Sequence, residues 1–322
     1  MNRHEFENKN GSDWKNFELQ LENSKGKKGT SDNHKLPSRF RKICYDLSLA
    51  QYRMFGQQIC DRLNGLAIVG YRQIHRKRGA FGEGFLRFFL GTFPAAFRRE
   101  WKLFMVVSFV FLGPFFAMWW SADKEIEWVQ ALLGAEAMSD IEGMYGKDAD
   151  SVEYLRQEHG SNFMMFAHYI NNNVGIDFRI FAGGIFFGIG TLFFLIYNGL
   201  YLGAVVGYVE YAGSPELLWK FVAGHSSFEI LGMLVVGMAG LKIGFALLAP
   251  GQLTRGEALT RAGRGGLPLL IGGACMTSLA AVVEGFWSAQ PIDTNVKYMV
   301  GVAFWLMHLL YFVFVGRSGR GT

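Results

Sequence analysis

The chain has 322 residues, half of them hydrophobic and 16% aromatic, with 30 Phe and 41 Gly. An average soluble domain is less apolar, and so many Phe and Gly point to membrane helices. The formal net charge is +5, but no recognition motif accompanies it, so anionic lipid explains the basic balance better than nucleic acid does.

That charge is unevenly placed. Residues 1–100 hold 19 Lys/Arg against 10 Asp/Glu, a balance of +9; residues 121–175 hold 3 against 10, a balance of −7. The Lys/Arg bias orients a membrane protein. It predicts residues 1–100 and both termini in the cytoplasm and 121–175 outside. Met1 to Glu7 show no apolar signal-peptide core, so insertion through internal spans is expected. Cys44, Cys60 and Cys275 have no zinc spacing, and no structural disulfide is expected of them.

In chain order, residues 1–36 read as a flexible polar N-terminus. Within it Asp13 to Asn23 can form one short helix with Trp14, Phe17 and Leu21 on a single face, followed by a linker over 24–36. Residues 37–100 read as a cytoplasmic and interfacial helical region. Leu36-Pro37-Ser38 starts a helix, because proline suits a first turn. Ile43, Leu47, Ala50 and Met54, then Ile59, Leu63 and Leu66 after Gly56, give two amphipathic helices ending near Arg78. Arg76-Lys77-Arg78 reads as a solvated or headgroup-facing end. Phe and Arg interleave over 85–99, as in a helix lying on the inner leaflet and kinked by Pro94.

Residues 101–316 form the transmembrane domain. Trp101–Trp120 is the first span, with Pro114 inside and Trp at both ends. The acidic segment 121–175 offers helical pieces at Glu125–Leu133 and Glu136–Tyr145. An apolar piece, Phe163–Ile170, is expected along the outer surface, closed by Asn171-Asn172-Asn173. A second span is expected at Phe178–Tyr197, thinned by four glycines and broken at Asn198-Gly199. Leu200–Tyr211 is then short for a crossing. Glu216–Val222 is a short interfacial or re-entrant helix. His225–Leu248 and Leu267–Trp287 are the fourth and fifth spans, separated by a basic inner loop, 249–266. Ser288–Asn295 is an outer turn, Val296–Val315 the sixth span, and 317–322 a cytoplasmic tail. The fold class is therefore all-α: a polytopic helical membrane protein with about six transmembrane helices and an N-terminal cytoplasmic helical region.

The chemistry-bearing residues gather in one place. His225 and Glu229 are four apart, hence on one helix face. Glu284 stands alone in the fifth span at a similar depth. With Ser226, and with Asn198 deeper, these form an expected intramembrane polar cluster. Ionisable groups in a membrane are functional suspects by default. Three readings stay open: a structural brace, a proton- or solute-coupled path, and a metal site built from His225, Glu229 and Glu284. His-x-x-x-Glu is not the His-Glu-x-x-His metalloprotease pattern. Lys242 reads as a snorkelling lysine. Asp177 and Arg179 flank the expected start of the second span, where they can pair or reach headgroups. No serine elbow, phosphate loop or dinucleotide fingerprint is present, so no catalytic residue is named and no cofactor is expected.

Asn198-Gly199 after a glycine-rich run, Trp219 to His225 leading to Glu229, Ala249-Pro250-Gly251, and Val283-Glu284-Gly285-Phe286-Trp287-Ser288 together resemble the stage II sporulation protein M family of bacterial membrane proteins. The resemblance spans most of 36–316. It implies a membrane scaffold, since the namesake holds cell-wall hydrolases during engulfment. Longer members in non-sporulating bacteria are often encoded near a MoxR-type ATPase and von Willebrand factor A-like proteins, which implies such partners. The long basic N-terminal region departs from the short namesake. The reading is an inner-membrane scaffold or assembly protein linked to the cell envelope, with anionic inner-leaflet lipids and other membrane or envelope proteins as partners. The alternatives are a transporter or channel component and an intramembrane metal-dependent hydrolase.

Overall fold

Backbone polar groups cannot stay bare in hydrocarbon, so long apolar runs fold as helices. A computed structural model describes residues 2–23, 36–75, 81–122 and 124–317, and every regular element among them is helical. They fall into two units, Met1–Ala80 and Phe81–Thr322.

The N-terminal unit is a three-helix domain: α1 (Arg3–Asn23), α2 (Leu36–Tyr52) and α3 (Gln57–His75). Phe6, Trp14, Phe17, Ile43, Ala50 and Leu63 are among its buried core residues. Trp14 Nε1 donates to the buried Asp46 carboxylate at 2.8 Å. Helix α1 begins ten residues before the expected Asp13, because Phe6 extends the apolar face by two turns. The expected linker from residue 24 and the Arg76-Lys77-Arg78 run lie outside the described residues, apart from Leu36, which opens α2.

The second unit begins with α4 (Phe81–Arg87), a π turn (Phe88–Thr92) and α5 (Phe93–Arg99). Pro94 occupies the first turn of α5 and does not kink it. Nor does this segment merely lie on a surface. Phe93 is 1% exposed. It packs against Phe312, and the absent side chain of Gly272 makes room for its ring.

Among the described residues five helices are long and apolar enough to cross a membrane: α6 (Trp101–Ser121), α10 (Ile189–Ala212), α12 (Ser226–Leu248), α13 (Arg255–Val283) prolonged by a π turn to Ser288, and α14 (Thr294–Phe314). The chain is a multi-pass membrane protein. Helix α12 is the central span, with most of its length buried.

Glycines set the contact between α6 and α10. A Cβ at Gly199 would lie 2.3 Å from the Phe111 carbonyl oxygen, and one at Gly203 2.3 Å from that of Phe115. Small residues here let two backbones touch. Gly203→Ala must push the helices apart. It should cost about 1–3 kcal/mol, read as a lower melting temperature in detergent; an unchanged melt would contradict this close approach.

The paired numbers rise together, so α6 and α10 run parallel, and the chain must return between them. It does so through α9 (Asn162–Gly183), which meets α10 at Gly183 and Gly190. The expected span Phe178–Tyr197 is therefore a hairpin: residues 184–188 turn, with Phe187 at φ 56° and Gly188 at φ 85°. Asn198-Gly199 breaks nothing, because the glycine serves the contact with α6. Leu200–Tyr211 is the second half of one long helix. Phe163–Ile170 and Asn171-Asn172-Asn173 belong to α9.

Polar contacts mark two rims. On one, Arg98 donates to the carbonyls of Phe312 and Val315 at 2.9 and 2.7 Å. There too Arg99 reaches Gly265 O, and Lys242 pairs with Glu100. Lys242 is thus an ion-pair partner across helices, where a snorkelling side chain was expected. On the other rim Trp119 Nε1 donates to Glu210 at 2.7 Å, and Ser214 N to Tyr145 O at 2.7 Å. A cap sits there, made of α7 (Ile126–Tyr145), α8 (Ser151–His159) and α11 (Pro215–Val222). Gly134, at φ 78°, splits α7 between the two expected pieces.

Candidate functional site

Helix α12 starts where the short α11 turns at residues 223–225. This turn is tight because Gly224 faces the Trp287 ring: a Cβ there would meet the indole at 2.1 Å. The indole side fixes the position of the neighbouring π turn, Glu284–Ser288. Widened turns of this kind re-aim side chains and recur at functional sites. Here the turn buries both Glu284 and Ser288.

His225 is 3% exposed. Its Nδ1 lies 2.9 Å from Ser288 Oγ, and the Phe221 ring packs edge-on against it. Its Nε2 faces two carboxylates, 3.9 Å from Glu229 Oε2 and 3.8 Å from Glu284 Oε1. Those separations exceed a hydrogen bond. One ligand atom from each of the three side chains lies within 4.8 Å of the others. Helix α9 adds Asn173, whose Nδ2 reaches Glu284 Oε2 at 3.4 Å. Lys297 caps the group from α14, donating to Ser288 O at 2.6 Å.

The structure thus brings His225, Glu229 and Glu284 together. Ser226 lies beside them, facing a cavity of about 540 Å³ between α10, α11, α12 and α14. Trp219, Ile230, Val302 and Trp305 line this cavity, and His225 and Glu229 supply its polar wall. Asn198 is elsewhere: its amide donates to Phe194 O on its own helix at 2.8 Å. A mid-helix amide with a backbone acceptor four residues back needs no cluster.

Three contributors were missed by sequence reasoning. Asn173, Ser288 and Lys297 sit in segments expected to be outer surface, an outer turn and an ordinary span. Asp177 was also misplaced. It lies inside α9, 1% exposed, and neither of its oxygens has a hydrogen-bond partner among the described residues. Thr277 is close to it, but the threonine hydroxyl donates to Gly273 O. Arg179 is exposed and bonds Gly175 O, so the two do not form the expected flank. The only available signal for Asn173 and Asp177 was their spacing of four, which puts both on one helix face.

Chemically the cluster offers one imidazole nitrogen and two carboxylate oxygens converging on a single point. This set can hold a divalent cation or pass a proton. A family model described as Stage II sporulation protein M matches residues 103–289, a range that contains all three converging residues. Another model, described as a domain of unknown function, matches residues 4–76 in the N-terminal unit. No curated protein and no solved structure matches the chain.

Proposed function

The chain belongs to the stage II sporulation protein M family, and on that premise we propose that it is a scaffold or assembly protein of the bacterial inner membrane, acting in cell-envelope processes. The observation that carries this reading is the acidic cap. Its buried residues, including Val129, Ile141, Tyr145 and Leu155, share one core with Val206, Tyr208 and Val209 of α10. Outward it presents Glu136, Asp140, Asp148, Glu153 and Glu158, all exposed. A folded, charged platform built on a membrane bundle is suited to holding a partner. By the Lys/Arg bias this cap faces outward, and the N-terminal unit and both termini face the cytoplasm. There the N-terminal unit is available to anionic inner-leaflet lipid and to a partner such as a MoxR-type ATPase.

The test is photo-cross-linking in native membranes, with a photoreactive residue replacing Glu136. Discrete protein adducts, lost when Glu153 and Glu158 are changed to Lys, are the expected result. Lipid adducts alone, or adducts indifferent to those charges, would remove the scaffold reading.

A second reading has its own observation. His225 and Glu229 wall a membrane-level cavity, as a transport site would require. Under that reading Glu229→Gln leaves membrane abundance intact and abolishes function. A scaffold tolerates the change.

A further inference from the structure

We propose that His225, Glu229 and Glu284 bind one divalent first-row metal ion of the zinc class. This is independent of the scaffold reading.

The first reason is charge. Among the described residues no lysine or arginine forms an ion pair with Glu229 or Glu284; their only ionisable partner within ion-pair range is His225. Two carboxylates at membrane depth carry a large desolvation penalty if ionised and unpaired. A divalent cation cancels both charges at once.

Hydrogen bonding gives the second reason. Protonated carboxyls would need acceptors. Glu284 receives a bond from Asn173 and makes none that uses a carboxyl proton. Among the described residues the Glu229 carboxyl makes no hydrogen bond, and His225 Nε2 is too far from both acids to serve. A neutral brace therefore leaves the buried Glu284 carboxyl without a partner for its proton. A metal ion uses all three inward atoms.

The supporting groups give the third reason. Metal-binding histidines hold their second ring nitrogen in a hydrogen bond, and ligating carboxylates are themselves bonded. Ser288 Oγ stands 2.9 Å from His225 Nδ1, and Asn173 holds the far oxygen of Glu284. With Nδ1–H donating to the serine, Nε2 turns its lone pair toward the carboxylates. Donor atoms around a tetrahedral zinc ion sit about 3.3 Å apart. The 3.8 and 3.9 Å separations, in a set whose three donor atoms lie within 4.8 Å of one another, close by side-chain movement. One nitrogen with two carboxylate oxygens suits zinc, iron(II) or manganese(II) better than the all-oxygen preference of calcium or magnesium. Glu229 and His225 also line the cavity, so a fourth position on that side is open to water or to a ligand in the cavity.

The experiment uses the full chain with a non-histidine affinity tag, purified in detergent without chelator. Elemental analysis should find about one zinc-class ion per chain. After stripping with chelator, added Co²⁺ should restore about one equivalent and give a visible ligand-field band. His225→Gln, Glu229→Gln and Glu284→Gln should each weaken Co²⁺ binding by at least about tenfold, while Glu158→Gln in the cap should not. X-ray absorption of the Co²⁺-loaded native chain needs no variant: it should show an imidazole in the first shell. Absence of metal before and after loading, a shell of water oxygens alone, or equal binding by folded Glu284→Gln would each overturn the proposal.

Discussion

Trp14→Ala should unfold the N-terminal helical unit while leaving the membrane unit intact. Trp14 is 2% exposed and stacks at a tilt on Phe6. Its loss opens a void at the centre of a small core, and such truncations cost about 3–5 kcal/mol. The loss also strands Asp46, 3% exposed, without the indole donor it holds at 2.8 Å, for about 1–3 kcal/mol more. A domain of this size has roughly 5–15 kcal/mol in total. Limited proteolysis of the full chain in detergent should therefore cut within α1, α2 and α3 in the variant and spare those helices in the native protein. Trp14→Phe should fall between, keeping ring volume but not the donor. Equal resistance of Trp14→Ala and native protein would mean that these three helices do not share a core.

His225→Ala should be the most damaging single change in the membrane unit. It removes the group that faces both Glu229 and Glu284 and that joins α12 to Ser288 on the neighbouring π turn. Its loss opens a void beside the π turn and leaves the buried Ser288 hydroxyl without its ring-nitrogen partner, which costs about 1–3 kcal/mol for the polar group alone. Membrane abundance should fall sharply, and purified protein should melt at a markedly lower temperature. In metal-free protein Glu229→Gln preserves shape and should melt close to native, whereas Glu229→Ala should lose stability. Native-like abundance of His225→Ala would show that the imidazole holds nothing together.

How much of this was legible in the sequence depends on what each residue's neighbours could reveal. Helix α12 and its polar opening were readable, because a long apolar run with a histidine and a glutamate four apart has one helical interpretation. So was Glu284, a lone charge in an apolar run. The return helix α9 was not. Its inner face carries Asn173 and Asp177, so hydropathy reads a polar surface where packing places a buried helix. The glycines at 183, 184, 188 and 190 are equally ambiguous: they thin a span or permit a hairpin, and only the contact of Gly183 with Gly190 decides. Asn198-Gly199 looked like a break for the same reason. The π turn at Glu284–Ser288 has no sequence signature, which hid Ser288 in an expected outer loop. Lys242 looked solitary because its partner, Glu100, is 142 positions away.

If the protein holds partners on both faces of the membrane, the acidic cap and the basic rim must lie on opposite sides. The most direct measurement is labelling of single cysteines, in a background lacking Cys44, Cys60 and Cys275, with an impermeant thiol reagent on intact spheroplasts. Ser288 is buried and unsuitable as a probe; Asp148, Asp293, Arg41 and Glu257 are exposed. Cysteines at Asp148 and Asp293 should label in intact cells, and those at Arg41 and Glu257 only after permeabilisation. Labelling of all four from outside, or the reverse pattern, would contradict a scaffold that presents its cap outward and its N-terminal unit to the cytoplasm.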